Sequence, residues 1–402
     1  MKAVHFGPGN IGRGFVGLLL SQSNYEVVFI SRDETKTSLL QTRNEYQVNL
    51  ADDNNGLITV RNVTAVNIGE RAQVAQEISE ATIITTAVGA TNLKHIAKSI
   101  AEGLVARSKV NTRPLFIMAC ENAVRASSLL EALVYGHLDE TTRDFAKAYV
   151  SFPNTVVDRI VPNFHDEDPL AVRVEPFYEW IVERTRKLGK MPIIHGVQYV
   201  DSLDPYIERK LYTVNTGHCS AAYYGYLKGY QTIQQVMGDK MLRDKVRMVM
   251  YETGNLLIRR YQLNRQQHQK YISRILKRFS NTHLTDHVVR VGRCPLRKLS
   301  PEERLIRPAL EAYQQGLDVP NLTSVIAAAL LFDHAKDPEA PTLQDSIRTD
   351  GLEDTIANHL GIARKHPLHH GIAKKYEGLK YARAIRRGLP QSLAMPRILP
   401  AH

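Results

Sequence analysis

Lys210, Asn215 and His218 stand close together in the stretch from Asp204 to His218. The spacing predicts a helix, with Asp204 as N-cap and Pro205 as the first helical residue. At 100° per residue, Asn215 lies about 140° from Lys210 and His218 about 80°, so the three share one side. Val214 and Gly217 share it too, which makes it a buried and closely approached face. A lysine withdrawn from water loses proton affinity and can act as a general base. An asparagine amide can polarise a carbonyl or hold an alkoxide-like oxygen. Such a set suits hydride transfer at an alcohol carbon. The same residues also suit a surface lysine and two satisfied polar groups in a helix contact.

A second constellation opens the chain. Gly7-Pro8-Gly9-Asn10-Ile11-Gly12 is a G-x-G-x-x-G set at the end of one apolar run and the start of another. Glycine is needed there because the backbone turns tightly and approaches a pyrophosphate, which then meets the free N–H groups of a helix N-terminus. In such a loop Pro8 gives up an N–H that would have had no partner. Dinucleotide sites usually carry an acid at the end of the second strand, on the ribose 2′-hydroxyl. Here that position reads Ser31-Arg32-Asp33. Ser31 with Arg32 suits a 2′-phosphate, whereas Asp33, displaced by two residues, suits a free ribose. These residues leave the choice between NAD and NADP open, NADP being possible because of Ser31 and Arg32.

The elements that must position these residues follow from periodicity. Lys2 to Phe6 reads as a strand, Asn10 to Gln22 as a helix and Tyr25 to Ile30 as a strand, which is a β-α-β unit. Thr82 to Val88, whose end carries the cofactor-site candidates Thr86 and Val88, and Pro114 to Ala119 continue the pattern. Strands alternating with helices predict a parallel sheet covered on both faces. After about Val200 the patterns turn helical: Pro205 to Tyr230, Asp239 to Arg260, Gln266 to Phe279, Pro301 to Gln315 and Asn321 to His334. The expected architecture is α/β, an N-terminal Rossmann-like domain over 1–195 followed by a mainly α-helical substrate domain over 196–385. Residues 386–402 are expected to be a basic tail, solvated and partly helical or disordered.

Composition narrows the class. At 402 residues the chain exceeds one ordinary core, and 43% hydrophobic with 23% charged residues is a globular balance. The net charge of +11 does not mark a nucleic-acid binder. From Gly361 to His402 nine basic residues face Glu377 alone, a net +8, which leaves the first 360 residues nearly neutral. Cys120, Cys219 and Cys294 are too few and too scattered for a disulfide framework or a paired zinc motif. The absence of a signal pattern or a long apolar run points to the cytoplasm, without a membrane partner.

Longer strings carry a family resemblance. Lys210-x4-Asn215-x2-His218 resembles the signature of the polyol-specific long-chain dehydrogenases. "KAVHFGPGNIGRGF", "FPNTVVDRI", "PYIERKLYTVNTGH" and "VGRCPLRKLSPEERL" resemble the branch that interconverts D-mannitol 1-phosphate and D-fructose 6-phosphate. The likeness runs from Met1 to about residue 385. The chain departs from it at Pro8, commonly alanine, and at Ser31-Arg32, where an acid is usual. The resemblance implies a metal-independent enzyme with Lys210 as general base. It implies Asn215 and Asn122, in "ACENAV", as amides on the alkoxide-like oxygen, His218 on a substrate hydroxyl, and Asp158 and Arg293 in the substrate site. Arg297 and Lys298 join Arg293 in a compact basic cluster before a helix expected near Ser300, and such a cluster suits a sugar phosphate. Two other readings compete. One is a relative acting on free polyols or on hexuronates, where a neutral polyol would not need the basic cluster; the other is a non-catalytic nucleotide-binding protein, which would not need Lys210, Asn215 and His218.

Overall fold

The computed structural model describes residues 1–54, 56–162, 166–185 and 187–386. They form two compact units, one from Met1 to Ile207 and one beginning at Glu208. The first is built on a six-stranded parallel sheet of β1 (Lys2–Phe6), β2 (Glu26–Ser31), β3 (Val63–Asn67), β4 (Ile83–Thr86), β5 (Leu115–Ala119) and β6 (Val150–Ser151). The spatial order is β3-β2-β1-β4-β5-β6. This order reverses direction between β1 and β4, and in open α/β sheets the ligand crevice lies at that switch point.

Alternation along the strands divides the core. Ala3, Val27 and Phe29 face one cluster with Phe15, Tyr46 and Trp180. Val4, Phe6, Val28 and Ile30 face the other with Ile84, Ile96 and Ile100. Both faces are thus apolar, as a parallel sheet covered by helices requires.

Several boundaries differ from the sequence expectation. The strand expected over Thr82 to Val88 ends at Thr86, because Ala87 and Val88 leave the sheet to wall a cleft. The second strand extends to Ser31, which pairs with Asn67. Two three-stranded sheets have no marker in the sequence. One joins Glu45–Leu50 to Leu57–Arg61 and Val172–Val174, and the other joins Thr155–Asp158 to Glu179–Glu183 and Val197–Val200. Their pairings, such as Val48 with Val172, span long stretches that local periodicity does not see.

The second unit is helical. Its core gathers Tyr212, Tyr223, Met250, Phe279, Ile326 and Phe332. The helix expected from Pro301 begins only at Ile306, and none starts at Ser300. The Arg304 carbonyl instead accepts the Thr216 hydroxyl at 2.7 Å. The basic C-terminal segment is helical over Pro367–Arg386, where Arg383 binds the Leu331 carbonyl and Asp333. The rest of the expected tail, 387–402, lies outside the described residues. Among the described residues, no helix is long and apolar enough to cross a membrane.

Helix Leu93–Ser108 brings His95 and Ile96 to the cleft and packs on helix Arg71–Glu80 at Gly103. A methyl group on Gly103 would lie 2.4 Å from Ile78 Cγ2. Gly103→Ala should therefore lower stability by about 1–3 kcal/mol, read as a reduced midpoint in thermal unfolding; an unchanged midpoint would mean that the two helices are not tightly seated.

Candidate active site

The glycine loop follows β1. Gly7 has φ +97°, and a Cβ on it would meet the Ala87 carbonyl oxygen at 2.7 Å. The helix that follows is π-helical over Gly12–Gly17 before becoming α-helical at Leu18–Gln22. A Cβ on Gly12 would lie 2.1 Å from the Gly7 oxygen. Beneath the loop, the buried Arg13 guanidinium binds the Pro8 and Leu170 carbonyls. His5 Nδ1 lies 2.7 Å from Thr85 Oγ1. Burial pushes the His5 imidazole down to about 3, so the ring beneath the loop is neutral.

A cleft of about 480 Å³ opens beside this loop. Gly7, Gly9, Ser31, Arg32, Asp33 and Val88 line it, as the sequence reading expects of a cofactor site. Asn10, Ile11, Gly12 and Thr86 do not line it. Asn10 binds the Pro162 carbonyl, Ile11 packs on the core, Gly12 is covered by the turn, and Thr86 donates to Glu121. Lys36, Asn92 and His95 line the cleft as well, though no motif marks them. Asp33 caps helix Glu34–Arg43 by accepting the Lys36 N–H at 3.0 Å, and its other oxygen pairs with the Lys36 ammonium. These bonds hold the Asp33 carboxyl below its ordinary value.

Glu121, which the sequence reading passes over beside Asn122, organises the ends of β4 and β5. It is 6% exposed, and its carboxylate accepts the Thr86 hydroxyl at 2.7 Å and the N–H groups of Val88 at 3.0 Å and Gly89 at 2.8 Å. An acid closing a run of apolar residues was the only available signal. Asn122 follows it on an exposed turn, and Asp158 is buried at the end of its strand. Neighbouring Arg159 binds the carbonyls of Glu175 and Gly14.

The helix carrying the Lys-Asn-His set is α-helical over Asp204–Arg209, π-helical over Lys210–Asn215 and α-helical again over Thr216–Lys228. Asp204 lies inside the first turn and pairs with Arg125 rather than serving as the cap. The π segment corrects the angular estimate. Its bonds join residues five apart, as from the Thr216 N–H to the Leu211 carbonyl, so Lys210 and Asn215 sit one wide turn apart on the same side. All three side chains are half-buried. Gly217 seats the helix on Met250, whose sulfur would lie 2.8 Å from a Cβ there.

His218 has a fixed partner. Its Nε2 lies 2.9 Å from Asp286 Oδ2, and its ring stacks on Phe279 at 4.7 Å. Asp286 is 5% exposed and also accepts Arg290 Nε at 2.8 Å. Burial would raise the Asp286 carboxyl, but the bonds and charges of His218 and Arg290 outweigh it and hold it below its ordinary value. The contact turns Nε2 toward Asp286.

The basic cluster separates into two kinds of residue. Arg293 and Arg297 are exposed, but Lys298 is 4% exposed and donates to the carbonyls of Val291 and Arg293. Burial pushes its ammonium down to about 8. Lys298 is therefore a brace for the Arg293 turn and not a cation offered to solvent. Tyr223, on the same helix as His218, donates to the Gly292 carbonyl at 3.0 Å, and the Cys294 N–H binds Asp337 at 3.0 Å. Cys294 itself is left-handed, with φ +57°. The turn is thus anchored on both sides of Arg293. Burial raises the Cys120 and Cys219 thiols, which fits packing rather than nucleophilic roles.

Comparison with known proteins matches residues 1–196 to the mannitol dehydrogenase Rossmann domain and 202–380 to the mannitol dehydrogenase C-terminal domain. The mannitol-1-phosphate 5-dehydrogenase of Geobacillus stearothermophilus is 46% identical over 382 residues, covering 94% of this chain and all of that protein. The protein of the same name from Bacillus subtilis is 45% identical over 376 residues, 93% of this chain and 99% of its own. Among solved structures, Pseudomonas fluorescens mannitol 2-dehydrogenase, in a ternary complex with NAD and D-mannitol, aligns with a TM-score of 0.73 at 18% identity, over 97% of this chain and 95% of its own. A D-sorbitol dehydrogenase aligns with 0.76 at 17%, over 98% and 94%. At these identities the two structures speak for the fold.

The Asp286 pairing has a pH signature. A carboxylate favoured in the folded state stabilises above its unfolded pKa, and that contribution is lost as pH falls through the lower folded value. Asp286→Asn should cost about 1.5–3 kcal/mol near neutral pH, with the gap from the parent chain closing below the ordinary carboxyl value of 3.8. Denaturant unfolding across pH measures it, and a gap that stays constant into acid would show that the charge on Asp286 is immaterial.

Proposed function

The chain belongs to the mannitol dehydrogenase family, and we propose on that footing that it interconverts D-mannitol 1-phosphate and D-fructose 6-phosphate. The observation that carries this reading is Lys210 and Asn215 on one π-helical turn with His218 on the α-helix that continues it, beside a braced turn that presents Arg293. The shared name and near-complete coverage of the curated relatives support the same substrate pair. The glycine-lined cleft fits a dinucleotide, since a Cβ at Gly7 or Gly12 would fill the turn that must approach a pyrophosphate. NAD, when bound, exchanges hydride with carbon 5 of the polyol.

The chain's own residues handle the proton and the charge. Lys210 takes the hydroxyl proton as the C–H bond breaks and returns it in the reverse direction. The amides of Asn215 and Asn122 stabilise the alkoxide-like oxygen. His218, held through Nε2 by Asp286, bonds a substrate hydroxyl, and Asp158 binds another part of the polyol. Arg293 and Arg297 take the phosphate, and Lys298 keeps the Arg293 turn in place. In this reading 1–195 binds the dinucleotide, 196–385 supplies base and phosphate site, and the enzyme works in the cytoplasm without a nucleic-acid or membrane partner. A free polyol fits less well, because a neutral substrate does not call for an anchored arginine turn.

Reduction of D-fructose 6-phosphate, followed by loss of reduced-cofactor absorbance, tests the reading directly; no turnover with this sugar but turnover with free fructose would overturn it. Lys210→Ala should lower turnover by about 10²–10⁴ while cofactor binding survives. Arg293→Ala should raise KM for the phosphosugar with an effect of about 1.5–3 kcal/mol, and it should erase the preference over free fructose. Near-normal turnover in the first variant, or a retained preference in the second, would remove that residue from its role.

A further inference from the structure

We propose that the cofactor cleft also accepts NADP, through a 2′-phosphate subsite made by Ser31, Arg32 and Lys36. The proposal rests on the dinucleotide reading above. In this fold the ribose 2′ position faces the end of the second strand, where an acid holds the diol and repels a 2′-phosphate. In this chain β2 ends on Ser31, which is uncharged and buried, with its Oγ accepting the Asp33 N–H at 3.0 Å. The repelling group is absent from its usual place.

Asp33 is the one acid among the residues lining the cleft, and it is already engaged. One oxygen caps helix Glu34–Arg43 and the other holds the Lys36 ammonium. To reach a ribose it would have to give up the cap and the ion pair. Arg32 and Lys36 line the same end of the cleft. Two cations against one carboxylate leave this end net positive, whereas a phosphate monoester carries about −1.5 to −2 at neutral pH. Arg32 can grip it with two parallel N–H groups, and Lys36 can turn from Asp33 to the phosphate on its flexible stem. Sequence alone offered Ser31 and Arg32. Lys36, and the commitment of Asp33 to the helix cap, come from the fold.

The test uses the purified full chain and two probes that differ only in the phosphate: ADP-ribose and 2′-phospho-ADP-ribose, titrated by calorimetry, then NADH and NADPH by fluorescence. The two members of each pair should bind within about tenfold of one another, and the Arg32→Gln, Lys36→Gln double variant should lower the phosphorylated-to-plain affinity ratio by about 10- to 100-fold. Ser31→Asp should lower the same ratio by restoring the repelling carboxylate, and it covers the case in which the double variant fails to fold. A parent chain that binds ADP-ribose but rejects its 2′-phosphate more than about 100-fold, or a folded double variant with an unchanged ratio, overturns the subsite and leaves the dinucleotide reading standing. Binding of neither probe overturns both.

Discussion

The N-terminal unit depends on a backbone contact that excludes a single methyl group. The turn after β1 folds back so closely that a Cβ on Gly12 would lie 2.1 Å from the Gly7 oxygen and 2.7 Å from His5 Nε2. Gly7 in turn stands against the Ala87 carbonyl. These approaches lock the loop between β1 and β4, at the point where the sheet order reverses. The layer beneath must be uncharged at His5 and firm at Arg13. Burial keeps the first neutral, and the second is pinned between two carbonyls.

The second unit solves a related problem with a helix. An α-helical turn would set Lys210 and Asn215 well apart around the axis, and the π segment brings them to one side. That irregularity is stabilised from outside. The Thr253 hydroxyl donates to the Tyr212 carbonyl at 2.7 Å, and the Thr216 hydroxyl reaches both Leu211 and Arg304 carbonyls. The bond to Arg304 also explains why the helix expected from Pro301 starts late. One contact therefore shapes both the helix that carries Lys210 and the segment following the Arg293 turn.

Buried charge recurs as a positioning device. Glu121 gathers three donors from the end of β4, Glu252 gathers the N–H groups of Asn321 and Leu322, and Lys298 and Arg107 each gather carbonyls. A charged group left unsatisfied indoors is costly, so each one fixes the backbone that satisfies it. Glu121 thereby fixes the turn that carries Val88 and Gly89, and Lys298 the turn that carries Arg293.

Much of this was legible in the chain. Glycine spacing after an apolar run, alternation in β1 and β2, the shift to helical periodicity after Val200 and the Lys210, Asn215, His218 spacing are local properties, and local sterics and burial enforce them. Tertiary structure decided what depends on distant partners. It paired Asp286 with His218 across 68 positions of chain, drew Glu121 onto Val88 and Gly89, turned Lys298 inward onto the Val291 and Arg293 carbonyls, and committed Asp33 to a helix cap beside Lys36. It also chose the π turn that spacing at 100° per residue could not foresee. The physical reason is the same in each case: a residue's type states which hydrogen bonds and charges it can satisfy, but only the packed fold determines which groups are close enough to satisfy them.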